Sequence, residues 1–248
     1  MLKIGVVSGK GGVGKTTIAV SLAVALAKKG FRVGLVDVDI TGPNVHDILG
    51  KHELEVSRSD RFVPSESMGV KYVSVGQIAS DGLPILWEPR NVASAAKQLM
   101  ERTEWGELDF LIFDFPPNFG PETLEVLPLM DVVVVVTAPS ALSKSKVERM
   151  IEACREYGVR VAGVVVNMSY AVCPVCGSRF RVFPEDHSFE ELGVPTIAEF
   201  PVMPEVSERK IINDFPVERF LEAIRSPVLL RKKQRSLKRR LLELLLRR

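Results

Sequence analysis

The sequence predicts an α/β fold: a doubly wound, mostly parallel sheet with helices on both faces. Three observations predict it. Continuous apolar runs at 110–114 and 132–137, the latter with five valines in succession, suit strands buried on both faces, as in helix-covered parallel sheets. Such runs alternate with segments of helical periodicity, the order of a doubly wound sheet. The first strand-like run, 2–8, ends in a glycine-rich loop that opens a helix, at the strand end where such sheets bind ligands.

The elements follow in chain order. Residues 15–29 have helical periodicity, with Ile18, Leu22, Ala25 and Leu26 on one face and Gly30 placed to cap the end. Residues 31–37 form a second apolar strand. Residues 41–69 lack clear periodicity and read as an irregular excursion. A short strand at 70–76 and a helix at 93–102 precede the two continuous strands. A helix at 143–157, a buried strand at 159–166, a short strand at 195–200 and a short helix at 217–223 complete the order. No internal repeat or low-complexity linker interrupts it, so one large domain is expected over 1–224, with a tail over 225–248.

Composition bounds the function. Of 248 residues, 46% are hydrophobic and 26% charged, an ordinary globular balance. The start, MLKIGVVSGK, has no secretory pattern, and no apolar run approaches the ~18 residues of a membrane span. Three cysteines make no disulfide framework. A cytoplasmic, reduced protein is expected. The net charge of +2 hides an asymmetry: 225–248 holds ten basic residues against Glu243 alone, which leaves 1–224 at −7. Leu237, Leu241, Leu244 and Leu245 share a helical face there, flanked by Lys238, Arg239, Arg240, Arg247 and Arg248. Such a tail suits a partner protein or a membrane surface, or is a solvated terminal helix; nucleic acid is not expected.

The strongest motif is GKGGVGKTT, residues 9–17, which fits GxxxxGK[ST] between a strand and a helix. Gly11, Gly12, Val13 and Gly14 let backbone N–H groups approach phosphate oxygens, and the helix N-terminus adds positive potential. Lys15 then reaches the β/γ-phosphates of ATP, Thr16 ligates Mg²⁺, and Thr17 helps to hold the α-phosphate. The apolar strand at 110–114 ends in an acid, Asp114, placed to hold Mg²⁺ through water. Asn167 ends the strand at 159–166, at the edge where a base would lie. Cys173-Pro-Val-Cys176-Gly177 offers two thiolates to one metal; a structural zinc and a redox pair are also open to it. Cys154 reads as a core residue, and His187 as a loop residue or an added metal ligand.

Several of these segments resemble those of the Mrp/MinD-type ATPases, which carry a two-lysine phosphate loop. The match is KGGVGKTT at 10–17, DVDITGPN at 37–44, DFPP at 114–117, NMSYAVCPVCG at 167–177 and PVMPE at 201–205, in the family order. The resemblance implies a homodimer enclosing two ATP molecules, with Lys10 crossing to the partner's nucleotide as a catalytic group beside Lys15. It implies that Asp39 orients the attacking water and that Asp37 supports the Mg²⁺ shell, although Asp37 also reads as a cap for the next segment. It implies that Asn167 bonds the base and that Pro201 and Met203 close over adenine. Cys173 and Cys176 of two chains would share one metal centre: an iron–sulfur cluster, zinc or nickel.

The chain departs from the family pattern in two places. Asn118-Phe119 replaces Gly-Thr after the prolines, with Pro121 in place of an Asp. A glycine run after the cysteines is replaced by Phe183-Pro-Glu-Asp-His187. These departures and the private tail favour a specialised branch, the archaeal HypB-type ATPases of [NiFe]-hydrogenase assembly, which assist nickel delivery with a HypA-like chaperone. A general iron–sulfur cluster carrier is the alternative, favoured by the intact CPxC. A spatial organiser like MinD or ParA is the third reading, and it has no need of the cysteine pair.

Overall fold

The computed structural model describes residues 1–39, 42–77, 89–117, 120–140, 143–181, 183, 189–202 and 211–225. β1 (Leu2–Ser8) leads through the glycine loop into α1 (Lys15–Lys28), and β2 (Val33–Asp37) follows. The next stretch builds a one-turn helix α2 (Val45–Leu49), a small hairpin of β3 (Glu55–Val56) and β4 (Phe62–Val63), and a strand β5 (Ser65–Ser67) that turns back along β6 (Val70–Ser74). Then come α3 (Pro89–Glu101), β7 (Phe110–Asp114), α4 (Pro121–Val126), β8 (Val132–Thr137) and α5 (Ser143–Glu156). The chain closes with β9 (Arg160–Val172), β10 (Arg179–Phe180), β11 (Thr196–Pro201) and α6 (Val217–Arg225).

Among the described residues seven strands pair in parallel in the order β6-β2-β7-β1-β8-β9-β11, with β5 antiparallel on β6 and β10 antiparallel on the far half of β9. The mostly parallel, doubly wound sheet expected from the sequence is the one found. Its physics is plainest in β8. Val132, Val134 and Val136 pack into one core layer with Ile18, Leu22 and Phe220. Val133 and Val135 pack into the other with Val147, Met150 and Cys154. Side chains alternate across a strand, so a sheet covered on both faces needs an apolar residue at every position.

Helix α1 is buried on more than the one face its periodicity marks, because α2 and α6 cover it from outside while the sheet covers it from within. It ends as expected: the Gly30 N–H donates to the Ala27 carbonyl at 2.9 Å, and Gly30 adopts φ +89°. Phe220, Leu221 and Ile224 of α6 join the same core, so ordered packing reaches the end of the described residues at Arg225. The tail, 226–248, lies outside the described residues.

Two elements differ from expectation. The excursion at 41–69 contains α2, β3, β4 and β5, each too short to show a period of its own. The strand expected at 159–166 continues to Val172. It leaves β8 after Val166, bends through Met168 at φ +56°, and pairs again with Pro201 and β10. Polar and left-handed residues at the bend hide this continuity from an apolar-run reading.

Candidate functional site

The carboxyl ends of β6, β2 and β7 lie in register, so Ser74, Asp37 and Asp114 form one row of buried polar residues. The phosphate loop runs past this row. Lys15 Nζ donates to Asp114 Oδ1 at 2.6 Å, and Thr16 Oγ1 donates to Asp114 Oδ2 at 2.6 Å. Both Lys15 and Asp114 are buried, so each needs the other's charge. Asp37 accepts from the Asp39 N–H at Oδ1 (3.1 Å), and at Oδ2 from the N–H groups of Asn44 (3.0 Å) and Val45 (3.1 Å) and from Ser74 Oγ (2.9 Å). It thus caps the start of α2, the role left open for it beside the magnesium role.

Burial, and then the neighbouring Asp114 charge, push the Asp37 carboxyl up to about 7. The two buried carboxyls and the threonine hydroxyl form an all-oxygen donor set, with Lys15 as the buried cation beside them. That chemistry fits Mg²⁺.

Above the row lies a cavity of about 420 Å³. Lys10, Gly11, Gly12, Val13, Gly14, Lys15, Thr16 and Thr17 line it, together with Asp39. Gly12 and Gly14 adopt φ +76° and +80°, the left-handed turns that aim successive N–H groups inward. Ser8 Oγ donates to the Lys10 carbonyl at 3.1 Å, while the Lys10 side chain stays exposed at the rim. The Gly42 N–H donates to Asp39 Oδ1 at 3.1 Å, which steadies that buried carboxylate against the cavity.

Sequence reasoning missed several contributors, among them Asn44, Asp47 and Ile48, which line the cavity from α2 and its approach, and Ser74. Ser74 carries the same signal as Asp37 and Asp114, a polar residue ending an apolar strand. The α2 residues carry none, because one turn is shorter than a helical repeat.

Other expected residues do not line this cavity. Asn167 is buried behind the phosphate loop, where its Nδ2 donates to the Val13 carbonyl at 3.0 Å. A Cβ on Gly14 would lie 2.3 Å from that nitrogen, so the two positions are fitted to each other. Pro201 is half-buried at the end of β11, in register with Tyr170. Met203, Asn118, Phe119 and His187 lie outside the described residues.

The cysteine pair lies further along the same strand as Asn167. Beyond β9 the chain makes a tight turn: the Gly177 N–H donates to the Cys173 carbonyl at 2.9 Å and the Cys173 N–H to the Ser178 carbonyl at 2.9 Å. Gly177 takes φ +70° to allow it. Cys173 is half-buried and Cys176 exposed. Contact with the Ser178 hydroxyl at 3.0 Å, more than any other influence, lowers the Cys176 thiol below its ordinary range and favours the ligating thiolate. Cys154 is the opposite case: burial pushes it up to about 12, as befits a core residue. Among the described residues no group of three or more His, Cys, Asp or Glu gathers around a metal position, so this turn offers two ligands per chain. Val175 beside the cysteines is 92% exposed, and Val172 and Phe180 are exposed as well.

A parallel doubly wound sheet with this glycine loop, a lysine and two in-register acids is the framework of a P-loop NTPase. Comparison makes the class specific. The family model described as ParA, NUBPL iron-transfer P-loop NTPase, matches residues 1–219, and the chain belongs to that family. The expectation of a P-loop ATPase of the Mrp/MinD type stands. An iron–sulfur cluster carrier protein of Pyrococcus abyssi is 38% identical over 217 residues, 81% of this chain and 74% of that one. A relative of the same name from Saccharolobus solfataricus is 38% identical over 234 residues, 91% of this chain and 78% of that one. Among solved structures, a nucleotide-binding protein of Archaeoglobus fulgidus in complex with ADP superposes with a TM-score of 0.73 at 30% identity, covering 91% of this chain and 88% of that one. The cell division ATPase MinD of Pyrococcus furiosus, at 23% identity and a TM-score of 0.66, shares the fold, covering 90% of this chain and 97% of that one.

These relatives correct one expectation. The nickel-delivery reading, with its HypA-like chaperone, gave the altered loops more weight than the intact CPxC; proteins 35–38% identical to this chain are named iron–sulfur cluster carriers. No helix among the described residues is long and apolar enough to cross a membrane.

Proposed function

We propose that this chain is an ATP-dependent iron–sulfur cluster carrier in which two copies hold one cluster between their CPVCG turns. The observation that carries the reading is the path of β9. One continuous strand touches the phosphate loop through Asn167 and runs on to the turn that bears Cys173 and Cys176. A change at the nucleotide thus has a covalent and hydrogen-bonded route to the cargo site. The relatives' names and the lowered Cys176 thiol support the same reading.

The chemistry divides among the residues as follows. The N–H groups of residues 11–16 and Lys15 hold the phosphates, and Thr17 adds a hydroxyl beside the α-phosphate. Thr16, Asp114 and Asp37 are the groups that would hold Mg²⁺, which supplies charge compensation for the phosphates. Asp39 orients the attacking water. Lys10, exposed at the rim, crosses to the partner's γ-phosphate when two chains close, so hydrolysis waits for the dimer. Asn167 fixes the loop from behind and, with Pro201, borders the base. One chain supplies two thiolates where a cluster takes about four, and a second copy supplies the rest. The exposed Val172, Val175 and Phe180 give the two turns an apolar surface to bury.

Anaerobic reconstitution with iron and sulfide tests this directly. The expected product is a coloured protein with about four irons per two chains, lost in Cys173→Ser and Cys176→Ser. A colourless product, or iron that survives both substitutions, would sink the reading.

A further inference from the structure

We propose a second ligand site: the cleft between β10, β11 and α6 binds a small organic acid bearing two or more carboxylates and a hydroxyl or amino donor. The cleft has a volume of about 590 Å³ and shares no lining residue with the nucleotide cavity. Its size is that of a small-molecule site. Among the described residues three guanidiniums converge on it, Arg179 on β10, Arg181 just beyond, and Arg219 on α6, against the single carboxylate of Glu199.

Their arrangement leaves positive charge unspent. Arg181 lies 3.8 Å from Glu199 Oε2, too far for a hydrogen bond. That oxygen is already taken by Ser169 Oγ, which donates to it at 2.6 Å. Arg179 lies over the Tyr170 ring, its guanidinium carbon 5.2 Å from the centroid, so its planar fork is held in one orientation. Arg219 is exposed and, among the described residues, has no ion-pair partner. The described lining, three cations and one anion, leaves a net charge of two positives on the cleft. An anionic guest with two carboxylates offsets that charge, and arginine forks match carboxylates bidentately.

Glu199 narrows the guest further. Its negative charge disfavours a bare phosphate, which has no carbon skeleton to lay on the cleft's aromatic rings, but it accepts a hydrogen bond from a hydroxyl or ammonium group on an organic guest. Tyr170 and Phe180 offer apolar surface to its carbon skeleton.

Citrate is the probe. The full chain, saturated with ADP in magnesium-free buffer, is titrated calorimetrically. Citrate is expected to bind at one site per chain. Arg181→Gln and Arg219→Gln should each weaken it about tenfold while leaving ADP affinity, and so the fold, unchanged. Tricarballylate, which lacks only the hydroxyl, should bind several-fold more weakly, and Glu199→Ala should erase that preference. Absence of citrate binding, citrate binding indifferent to both arginine substitutions, or phosphate binding as tight as citrate would each overturn the proposal.

Discussion

The phosphate loop and the CPVCG turn are both glycine-bearing turns at strand ends, and they are built in opposite ways. The phosphate loop is embedded. Lys15, Asp114 and Asp37 are buried, every oxygen of the two acids is engaged, and Asn167 closes the loop from behind. The cysteine turn stands clear of the core, held by its own backbone bonds and two residue pairs to β10, with Val175 almost fully exposed. The first region cradles its phosphates with residues of one chain, and in the proposed dimer takes only Lys10 from the partner. In the proposed carrier the second is half a site, with Val172, Val175 and Phe180 exposed beside it. Groups that hold a small, constant ligand can be built into a core; groups that pass on cargo have to remain at the surface.

Substitutions sharpen that contrast. Lys15→Ala should have the largest effect. It strips the buried Asp114 of its counter-charge, so about 3 kcal/mol of stability should go, along with nucleotide binding. Cys173→Ser should stay within about 0.5 kcal/mol of the parent. Thermal melts and ADP titrations of the two variants read this directly. Equal losses would mean that the cysteine turn belongs to the core after all.

Asp39→Ala comes next. Its carboxylate lines the cavity and accepts the Gly42 N–H, placed for the attacking water rather than for the phosphates, so ADP affinity should hold while turnover falls about 100-fold. Lys10→Ala should lower turnover similarly, and mixing the two variants should restore one working site per mixed dimer. Failure of the mixture to recover would place Lys10 in its own chain's site and make the nucleotide region complete without a partner.

Asn167→Ala probes the strand that joins the regions. Losing one buried hydrogen bond to Val13 should cost about 1 kcal/mol and weaken ADP binding about fivefold. Removal of residues 226–248 should have the smallest effect, with ADP affinity changed less than about twofold, since α6 already closes the core. A truncated chain that fails to fold would make the tail part of the domain.

The embedded region was also the more legible one. Burial on both faces writes itself into sequence as runs such as Val132–Val136, and a phosphate loop needs its glycines and lysine at fixed spacing. The rest was lost where an element is shorter than the pattern that would reveal it. Helix α2 has one turn, so Asp47 and Ile48 gave no signal as cavity residues. Strand β9 bends at Met168, so Asn167 read as a strand end and its link to the cysteine turn went unseen. The choice of nickel over iron–sulfur cargo failed for a related reason. Loop departures such as Asn118-Phe119 are easy to see in a sequence, but surface loops vary freely, while the CPxC spacing is set by metal chemistry.

The central claim is that β9 couples the nucleotide to the cargo. Its most direct test is the rate at which reconstituted protein passes its cluster to an apo-ferredoxin, measured with saturating Mg-ATP and without nucleotide. The account predicts rates that differ by about fivefold or more, and a difference that collapses in Asn167→Ala at nucleotide concentrations that still saturate the site. Identical rates with ATP bound and absent, in a protein that holds its cluster through Cys173 and Cys176, would contradict it.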